Sequence, residues 1–225
     1  MIMDYPQLVK YFASNNPIQL LIFIMPLWGI TAYKLSTLSF DLVTLVFGLL
    51  AGVLYWTFLE YAIHRFAYHT HFKNNLLFYF LGSFHLYHHK DMSDHRILNA
   101  GFLIIYAMTP TVLLPFYLLI DDQFFLYSMV LGLSGSYYAY ECVHYLLHYK
   151  HFTKGYLGFI QDYHMHHHDK NPNKNFGNTS QLWDVLLGTY DAGYKSYAMS
   201  ERTKATLITS SSEKYNPNLV PQSQN

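Results

Sequence analysis

The stretch that decides the fold is residues 42–69, LVTLVFGLLAGVLYWTFLEYAIHRFAYH. It is apolar and free of charge until Glu60, and it ends in two histidines, His64 and His69. A helix of this length crosses a hydrocarbon layer of about 30 Å, because each residue adds about 1.5 Å to a helix. The sequence therefore predicts a membrane-spanning helix that carries two imidazoles to the membrane surface.

Three further apolar runs share this character, and one of them also ends in histidines. The run over residues 124–143 leads into His144 and His148, so the chain repeats the arrangement of the opening stretch. Pro110 and Pro115 lie inside the third run and are expected to kink it or to break its first half. The four predicted membrane spans are residues 18–35, 42–63, 102–120 and 124–143.

Composition supports a membrane protein. Only 12% of the 225 residues are charged and 52% are hydrophobic, whereas a soluble domain carries about 25% charged residues. The formal net charge is zero, which argues against a nucleic-acid partner. Residues 1–17 lack the basic start and the cleavage site of a signal peptide. We expect residues 1–205 to form one membrane-embedded domain and residues 206–225 to form a disordered tail.

The distribution of basic residues predicts the orientation. Four spans place both termini on one side, and every Lys and Arg except Lys34 then lies on that side. The turns on the opposite side carry Asp41, Asp121 and Asp122. By the positive-inside rule the basic side is cytoplasmic, and all the histidine groups fall on it. The predicted fold is an all-α integral membrane protein with four transmembrane helices in two hairpins and a cytoplasmic helical cap that carries a histidine-rich dimetal site.

Ten histidines form four groups with helical spacing. His144 and His148 are four residues apart and share one helix face, as do the members of the second and fourth groups. His64 and His69 are five apart, which turns about 140° around an α-helix, so they converge only if the helix ends or distorts between them. The predicted metal ligands are His64, His69, His85, His88, His89, His144, His148, His164, His167 and His168.

Imidazole nitrogens suit zinc, copper, iron and nickel. Five nitrogens for each of two ions exceed the four ligands of a structural zinc site, which favours a pair of ions with higher coordination numbers. The sequence lacks the glutamate pattern of soluble di-iron bundles and the His-Glu-x-x-His motif of zinc proteases. Four other histidines do not extend the repeated spacings and are expected at the surface or in hydrogen bonds near the metals: His71, His95, His151 and His166.

Two glutamates lie about one helical turn before a predicted ligand. Glu60 precedes His64 by four residues, and Glu141 precedes His144 by three. Ionisable groups near the membrane end of a helix are usually functional. We expect each to accept a hydrogen bond from a ligating imidazole and to fix its tautomer, the alternative being an ion pair with a base such as Arg65. Weaker candidates for the same role are Asp162 and Asp184.

These motifs resemble those of the fatty acid hydroxylase superfamily of integral membrane non-haem di-iron enzymes, over about residues 40–190. Four residues separate the histidines of the first group and three separate those of the third. That pattern is similar to the one in fatty acid 2-hydroxylases, whereas sterol desaturase relatives have three in the first group and carotenoid hydroxylase relatives have four in the third. The resemblance rests on residues 60–65, 85–89, 140–148, 164–168 and the segment 175–189, NFGNTSQLWDVLLGT.

The resemblance implies an oxidoreductase that hydroxylates a fatty acyl chain, free or sphingolipid-linked, next to its carbonyl. It implies two iron ions as cofactors, with zinc as a substitute in purified protein, and O2 as co-substrate. No haem-binding His-Pro-Gly-Gly stretch precedes the first predicted span. We therefore expect electrons from a separate donor, a cytochrome b5-type carrier or another reductase system. The expected location is the endoplasmic reticulum in a eukaryote or the cytoplasmic membrane in a bacterium.

Several alternatives stay open on the sequence. The same metal site could act on a sterol, a carotenoid or another lipid, by hydroxylation or desaturation. A membrane metal transporter is the non-enzymatic alternative, although transport favours ligands near the bilayer midplane and these histidines cluster at the cytoplasmic ends of predicted helices. The Trp183-Asp184 segment either covers the metal site or packs as an amphipathic helix.

Overall fold

The computed structural model describes residues 13–14, 16–70, 73–74 and 78–209, and it is mostly helical. Two short strands, β1 (Ala13–Ser14) and β2 (Asn99–Ala100), pair antiparallel. Most of the predicted disordered tail, residues 210–225, lies outside the described residues. The α-helices are α1 (Pro17–Ser36), α2 (Leu42–Ala62), α3 (Ser83–Lys90), α4 (Phe102–Leu119), α5 (Gln123–Tyr149), α6 (Gly155–Asp169), α7 (Leu182–Leu186) and α8 (Glu201–Ala205). The remaining helical turns are the π-helices Ile63–Tyr68 and Phe78–Gly82 and the 3-10 helices His95–Ile97 and Ala192–Ser196.

Polar side chains cap three of the long helices. Asn16, Asp41 and Asp122 each accept a backbone N–H in the first turn, at 3.0–3.1 Å. Such caps pair N–H groups that the helix itself leaves unpaired. Pro17 follows the first cap, at a position where its missing N–H costs nothing. The helices therefore begin where the sequence changes from polar to apolar.

In the described part of the chain, two helices are long and apolar enough, by length and composition, to cross a membrane. They are Pro17–Ser36 and the continuous run Leu42–Tyr68, which joins α2 to the first π-helix. Helix α4 is also apolar and continues through Pro110 and Pro115. Of the two predicted effects of these prolines, a kink or a break, the break is therefore wrong. Each proline removes one backbone donor, but the other helical hydrogen bonds keep the helix intact. Helix α5 runs to Tyr149, past the end predicted for the fourth span.

Helices α2 and α5 pack with their backbones in contact. A Cβ on Gly52 would lie 2.2 Å from Met129 O, and one on Gly132 would lie 2.2 Å from Leu49 O. Neither position has room for a side chain. Gly48 and Gly52 form the Gly-x-x-x-Gly pattern that lets membrane helices approach closely.

This contact sets the register of the two helices. Gly48 lies against Ser128 and Gly52 against Gly132, a constant offset of 80 residues, so α2 and α5 run parallel. Continuing for 12 residues past the second pair, about 18 Å along each axis, brings His64 level with His144. A glycine contact deep in the helix pair therefore aligns the first and third histidine groups.

A buried glutamine ties the end of α5 to α6. Gln161 donates to Leu147 O at 2.5 Å and to Lys150 O at 2.9 Å, and it accepts from Phe152 N at 2.8 Å. These bonds turn the chain sharply after α5 and lay α6, with the fourth histidine group, beside the third. The buried side chains that pack around this turn are Leu147, Ile160, Tyr163 and Tyr194.

Candidate metal centre

The first two predicted ligands converge through a π-helix. His64 and His69 flank the turn Ile63–Tyr68, and His69 N donates to His64 O at 3.2 Å, five residues back. The wider turn brings residues five apart onto one face, so the two Nε2 atoms lie 3.2 Å apart. The predicted distortion of the helix between these residues is confirmed.

Five imidazoles form the first group, called here cluster one: His64, His69, His85, His89 and His167. One ring nitrogen from each lies within 4.8 Å of all the others. His85 lies centrally, with its Nε2 2.9–3.0 Å from the Nε2 atoms of three neighbours. His167 joins from α6, its Nε2 3.2 Å from that of His89.

The second group, cluster two, lies beside the first and contains His88, His144, His148, His164 and His168. One ring nitrogen from each of the first four lies within 4.8 Å of the others, and all four rings are buried. His164 Nε2 lies 3.0 Å from that of His148 and 3.1 Å from that of His168. His168 stacks on His89 of cluster one with ring centroids 4.0 Å apart. The structure thus brings the ten predicted ligands into two adjacent groups, with five mutually close nitrogens in cluster one and four in cluster two, which His168 joins through His164.

The packing of these nitrogens fits a metal ion in each cluster. Two nitrogens about 2.1 Å from one ion and at a right angle are about 3.0 Å apart, the spacing found in both clusters. His85 Nε2 carries at most one proton, so without a cation it can donate to only one of its three neighbouring nitrogens. Ring nitrogens that are buried without a hydrogen-bond partner in the described part of the chain include both of His88 and the Nε2 of His144.

The imidazoles are held in the neutral form. Burial lowers the pKa of His69 to about 4. Burial, followed by the neighbouring imidazoles, lowers the pKa of His85, His88 and His168 well below the ordinary value. A neutral ring keeps one nitrogen lone pair free, which is the form that binds a metal.

Four rings have their Nδ1 atoms fixed by oxygen acceptors, so that Nε2 is left for a metal. His64 Nδ1 donates to Phe176 O at 2.5 Å, and His167 Nδ1 donates to Lys174 O at 2.6 Å. The other two bonds are His164 Nδ1 to Asn178 Oδ1 at 2.9 Å and His144 Nδ1 to Leu98 O at 3.2 Å. Three of these four acceptors come from the segment 174–178.

The predicted carboxylates do not bind the imidazoles directly; they bind the residues that hold the imidazoles. Glu60 accepts from the backbone N–H of Asn178 at 2.5 Å and of Thr179 at 2.8 Å. Arg65 instead donates to the Tyr61 hydroxyl at 2.5 Å, so the alternative ion pair is also wrong. Glu60 thus holds the segment whose side chain binds His164 rather than binding an imidazole itself.

Asp184 and Glu141, like Glu60, bind residues next to the imidazoles and not the imidazoles themselves. Asp184 is fully buried and accepts from the N–H groups of Phe176 at 2.9 Å and Gly177 at 2.8 Å. Glu141 accepts from Asn99 Nδ2 at 2.8 Å, next to the carbonyl of Leu98 that binds His144. The expected direct bonds to imidazoles are replaced by bonds to neighbouring residues: backbone N–H groups for Asp184 and the Asn99 side chain for Glu141.

Three of the four histidines outside the clusters lie in the described residues, and they have the surface or hydrogen-bonding positions predicted for them. His95 Nε2 hydrogen-bonds Thr206 O at 2.8 Å, and His166 is buried against Tyr197. His151 is exposed, and His71 lies outside the described residues.

An apolar cavity of about 310 Å³ lies between α1, α2, α4 and α5. Its polar lining includes Glu60, Glu141, Tyr68 and Tyr140. The Tyr68 ring stacks on His85 of cluster one, with centroids 4.9 Å apart, and the Tyr140 ring stacks on a cluster-two imidazole, with centroids 6.0 Å apart. One tyrosine therefore separates the cavity from each cluster. The apolar lining includes Ile24, Leu27, Ile104, Ile105, Val112, Leu113, Val130 and Leu133.

A family model described as fatty acid hydroxylase matches residues 49–189, more than half of the chain and the part that holds both clusters. The chain belongs to the fatty acid hydroxylase family.

The names of curated relatives of this chain include the hydroxylase reaction of the family. The dihydroceramide fatty acyl 2-hydroxylase FAH1 of Arabidopsis thaliana is 34% identical over 146 residues, which cover 61% of this chain and 58% of that protein. The ceramide very long chain fatty acid hydroxylase SCS7 of Saccharomyces cerevisiae is 31% identical over 62% of this chain and 36% of its own length. The fatty acid 2-hydroxylase of Mus musculus is 31% identical over 61% and 38%. The matched part of this hydroxylase-family chain therefore spans 58% or less of the length of each of these relatives.

A solved structure has the same fold. It is full-length scs7p, in which only the hydroxylase domain is visible, and it superposes with a TM-score of 0.65. The superposition covers 83% of this chain and 70% of that one, at 23% identity.

The sequence did not predict a role in the metal centre for the segment 174–178. Asn175 has a positive φ of 58°, and its amide bonds the backbone of Asp191 in both directions. A Cβ on Gly177 would lie 1.9 Å from Ser180 O, so this tight turn requires glycine. The Asn-Phe-Gly-Asn run has the composition of a turn, but nothing local in the sequence indicates its contact with His64, which is 112 residues away.

Proposed function

We propose that this chain is an O2-dependent hydroxylase that oxidises the carbon next to the carbonyl of a fatty acyl chain, free or sphingolipid-linked. The observation that carries the proposal is the position of the two histidine clusters against the polar side of an apolar cavity. The names of the relatives, which include dihydroceramide fatty acyl 2-hydroxylase and fatty acid 2-hydroxylase, support the same reaction and substrate class.

The proposed cofactors are two iron ions, one for each cluster of five imidazoles. Imidazole also suits zinc, which would compete for the same nitrogens in purified protein. Iron, when bound, supplies the activation of O2 and the oxidation of the C–H bond. One oxygen atom enters the C–H bond and the other leaves as water, which requires two electrons and two protons. The electrons come from a separate protein, a cytochrome b5-type carrier or another reductase system.

The chain's own residues position the substrate and exclude water from the metal centre. The acyl chain lies in the cavity between α1, α2, α4 and α5, among side chains such as Ile105 and Val112. Tyr68 and Tyr140 line the cavity and stack on ligand rings, so they limit how closely a substrate carbon approaches each cluster. The carboxylates hold the segments that fix the Nδ1 atoms, which keeps the Nε2 lone pairs aimed at the metals.

The proposed placement is a multi-pass membrane protein with α1, α2, α4 and α5 as two hairpins and the metal centre on the cytoplasmic side. Every Lys and Arg except Lys34 lies on that side of this arrangement, which supports it. The corresponding membrane is the endoplasmic reticulum in a eukaryote and the cytoplasmic membrane in a bacterium.

Lipid mass spectrometry of cells with and without this chain tests the proposal. We expect acyl chains that have gained one oxygen atom, located by fragmentation next to the carbonyl, and none with the His148→Ala variant. Oxygen on a sterol or carotenoid would keep the metal centre and change the substrate class. Metal flux across the membrane without any oxidised lipid would instead indicate a transporter and contradict the proposal.

A further inference from the structure

Helix α7 has two faces of opposite character. Its inner face carries Asp184, which is fully buried, and Trp183, whose Nε1 donates to Thr57 Oγ1 at 3.0 Å. Its outer face is apolar and open, with Val185 59% exposed and Leu186 63% exposed. Leu182 and Leu187 extend this surface, and between residues 182 and 188 the single charged side chain is the buried Asp184. An open apolar patch of this kind indicates a contact with a membrane or a partner.

The contact with α2 gives the depth of this patch. Asp41, charged and exposed, caps the start of α2 and lies at one water boundary. Thr57 follows Leu42 by 15 residues, which is about 22 Å along the helix and less than the hydrocarbon thickness of about 30 Å. The point on α2 to which Trp183 is bonded therefore lies within the hydrocarbon layer, near its cytoplasmic side.

The outer face of α7 continues the lipid-facing side of α2. Leu50, Leu54 and Phe58 are exposed along α2, and the Phe58 ring contacts the Trp183 ring with centroids 5.0 Å apart. A surface that passes from a membrane span onto α7 without a charged side chain matches lipid better than a protein partner.

We propose that α7 lies in the cytoplasmic edge of the bilayer, with Leu182, Val185, Leu186 and Leu187 against lipid acyl chains. The inference rests on the proposed membrane placement of α2 and not on the hydroxylase chemistry.

The proposed lipid contact of α7 has a consequence for cluster one. Asp184 of α7 holds Phe176, whose carbonyl accepts from His64, so lipid contact steadies a metal ligand through two hydrogen bonds.

Fluorescence quenching in nanodiscs tests this placement. In a Cys142→Ser background, single cysteines at Val185 and Leu186 carry a bimane label in nanodiscs of phosphatidylcholine. We expect brominated lipids to quench both labels and aqueous iodide to quench neither. The matched controls are Leu50→Cys, in the middle of α2, and Lys195→Cys, on the exposed cap.

Each outcome bears on a different claim. If the labels at Val185 and Leu186 respond like Lys195 while Leu50 responds to brominated lipid, α7 lies in water and the inference is overturned with α2 still in the membrane. If Leu50 also responds only to iodide, the membrane placement of α2 falls and the inference falls with it. Neither result depends on whether the protein oxidises a lipid, which is measured separately.

Discussion

Glu60 Oε1 accepts the backbone N–H of Asn178 at 2.5 Å, although 118 residues separate them in the chain. The same asparagine accepts the Nδ1–H of His164 through its side chain at 2.9 Å. A carboxylate at the end of a membrane-capable helix therefore fixes a predicted metal ligand without contacting it. Asn178 therefore links Glu60 to a ligand of cluster two, His164.

We expect Asn178→Ala to weaken metal binding in cluster two. Loss of the Oδ1 acceptor frees the His164 ring to rotate or to change tautomer, and loss of such partners costs about 10–100-fold in metal affinity. Competition with a fluorescent chelator measures that affinity directly. Ser180→Ala, two residues further along the chain, is the control and should bind metal like the unaltered chain. Equal affinities for both variants would show that the Asn178 side chain has no such role.

The His148→Ala variant should lose one metal ion and all product formation. His148 is fully buried, with its Nε2 3.0 Å from that of His164, so its removal leaves cluster two one ligand short. Metal analysis of purified protein should find about half the content of the unaltered chain. His151→Ala removes an exposed imidazole outside both clusters and should leave metal content and activity unchanged.

Gly177→Ala should destabilise the protein. The new Cβ would lie 1.9 Å from the backbone oxygen of Ser180, and the strain would displace the N–H that Asp184 binds. Overpacking of this kind costs about 1–3 kcal/mol or more. Thermal unfolding in nanodiscs should shift to lower temperature. Gly135→Ala is the matched control, because a Cβ there meets nothing within 4 Å, and it should not lower the midpoint.

Helix positions were largely predictable from the sequence, whereas the supports of the metal centre were not. Helix α2 spans Leu42–Ala62 against a prediction of residues 42–63, because an acidic cap and an apolar run mark it locally. The end or distortion of the helix between His64 and His69 followed from their spacing once both were expected to bind at one site. The bonds from Glu60 to Asn178 and from His64 to Phe176 join residues more than 100 apart and leave no local pattern.

A larger side chain in the cavity should shorten the acyl chains that are accepted. Leu98, just before α4, hydrogen-bonds His144, and Val112 lines the cavity about 15 Å further along the helix from Phe102. Val112→Phe would therefore fill space remote from the histidine clusters. The distribution of 2-hydroxylated products by chain length, read by mass spectrometry, should move to shorter chains with metal content unchanged. Leu118→Phe places the same ring on an exposed part of α4 and should leave the distribution as it was. An unchanged distribution in Val112→Phe would mean that the acyl chain lies elsewhere.

Chelation should remove the two metals in two phases, with cluster one emptied first. In cluster two only His168 is partly open to solvent, and His88, His148 and His164 are at most 2% exposed. In cluster one both His69 and His89 are partly open. A chelator must reach the ion or its ligands, so the more open cluster releases its metal faster. Stopped-flow mixing with excess EDTA follows release, and ligand variants assign the phases. His69→Ala should remove the fast phase and His148→Ala the slow one. A single phase, or the reverse assignment, would mean that side-chain exposure does not control access to the metals.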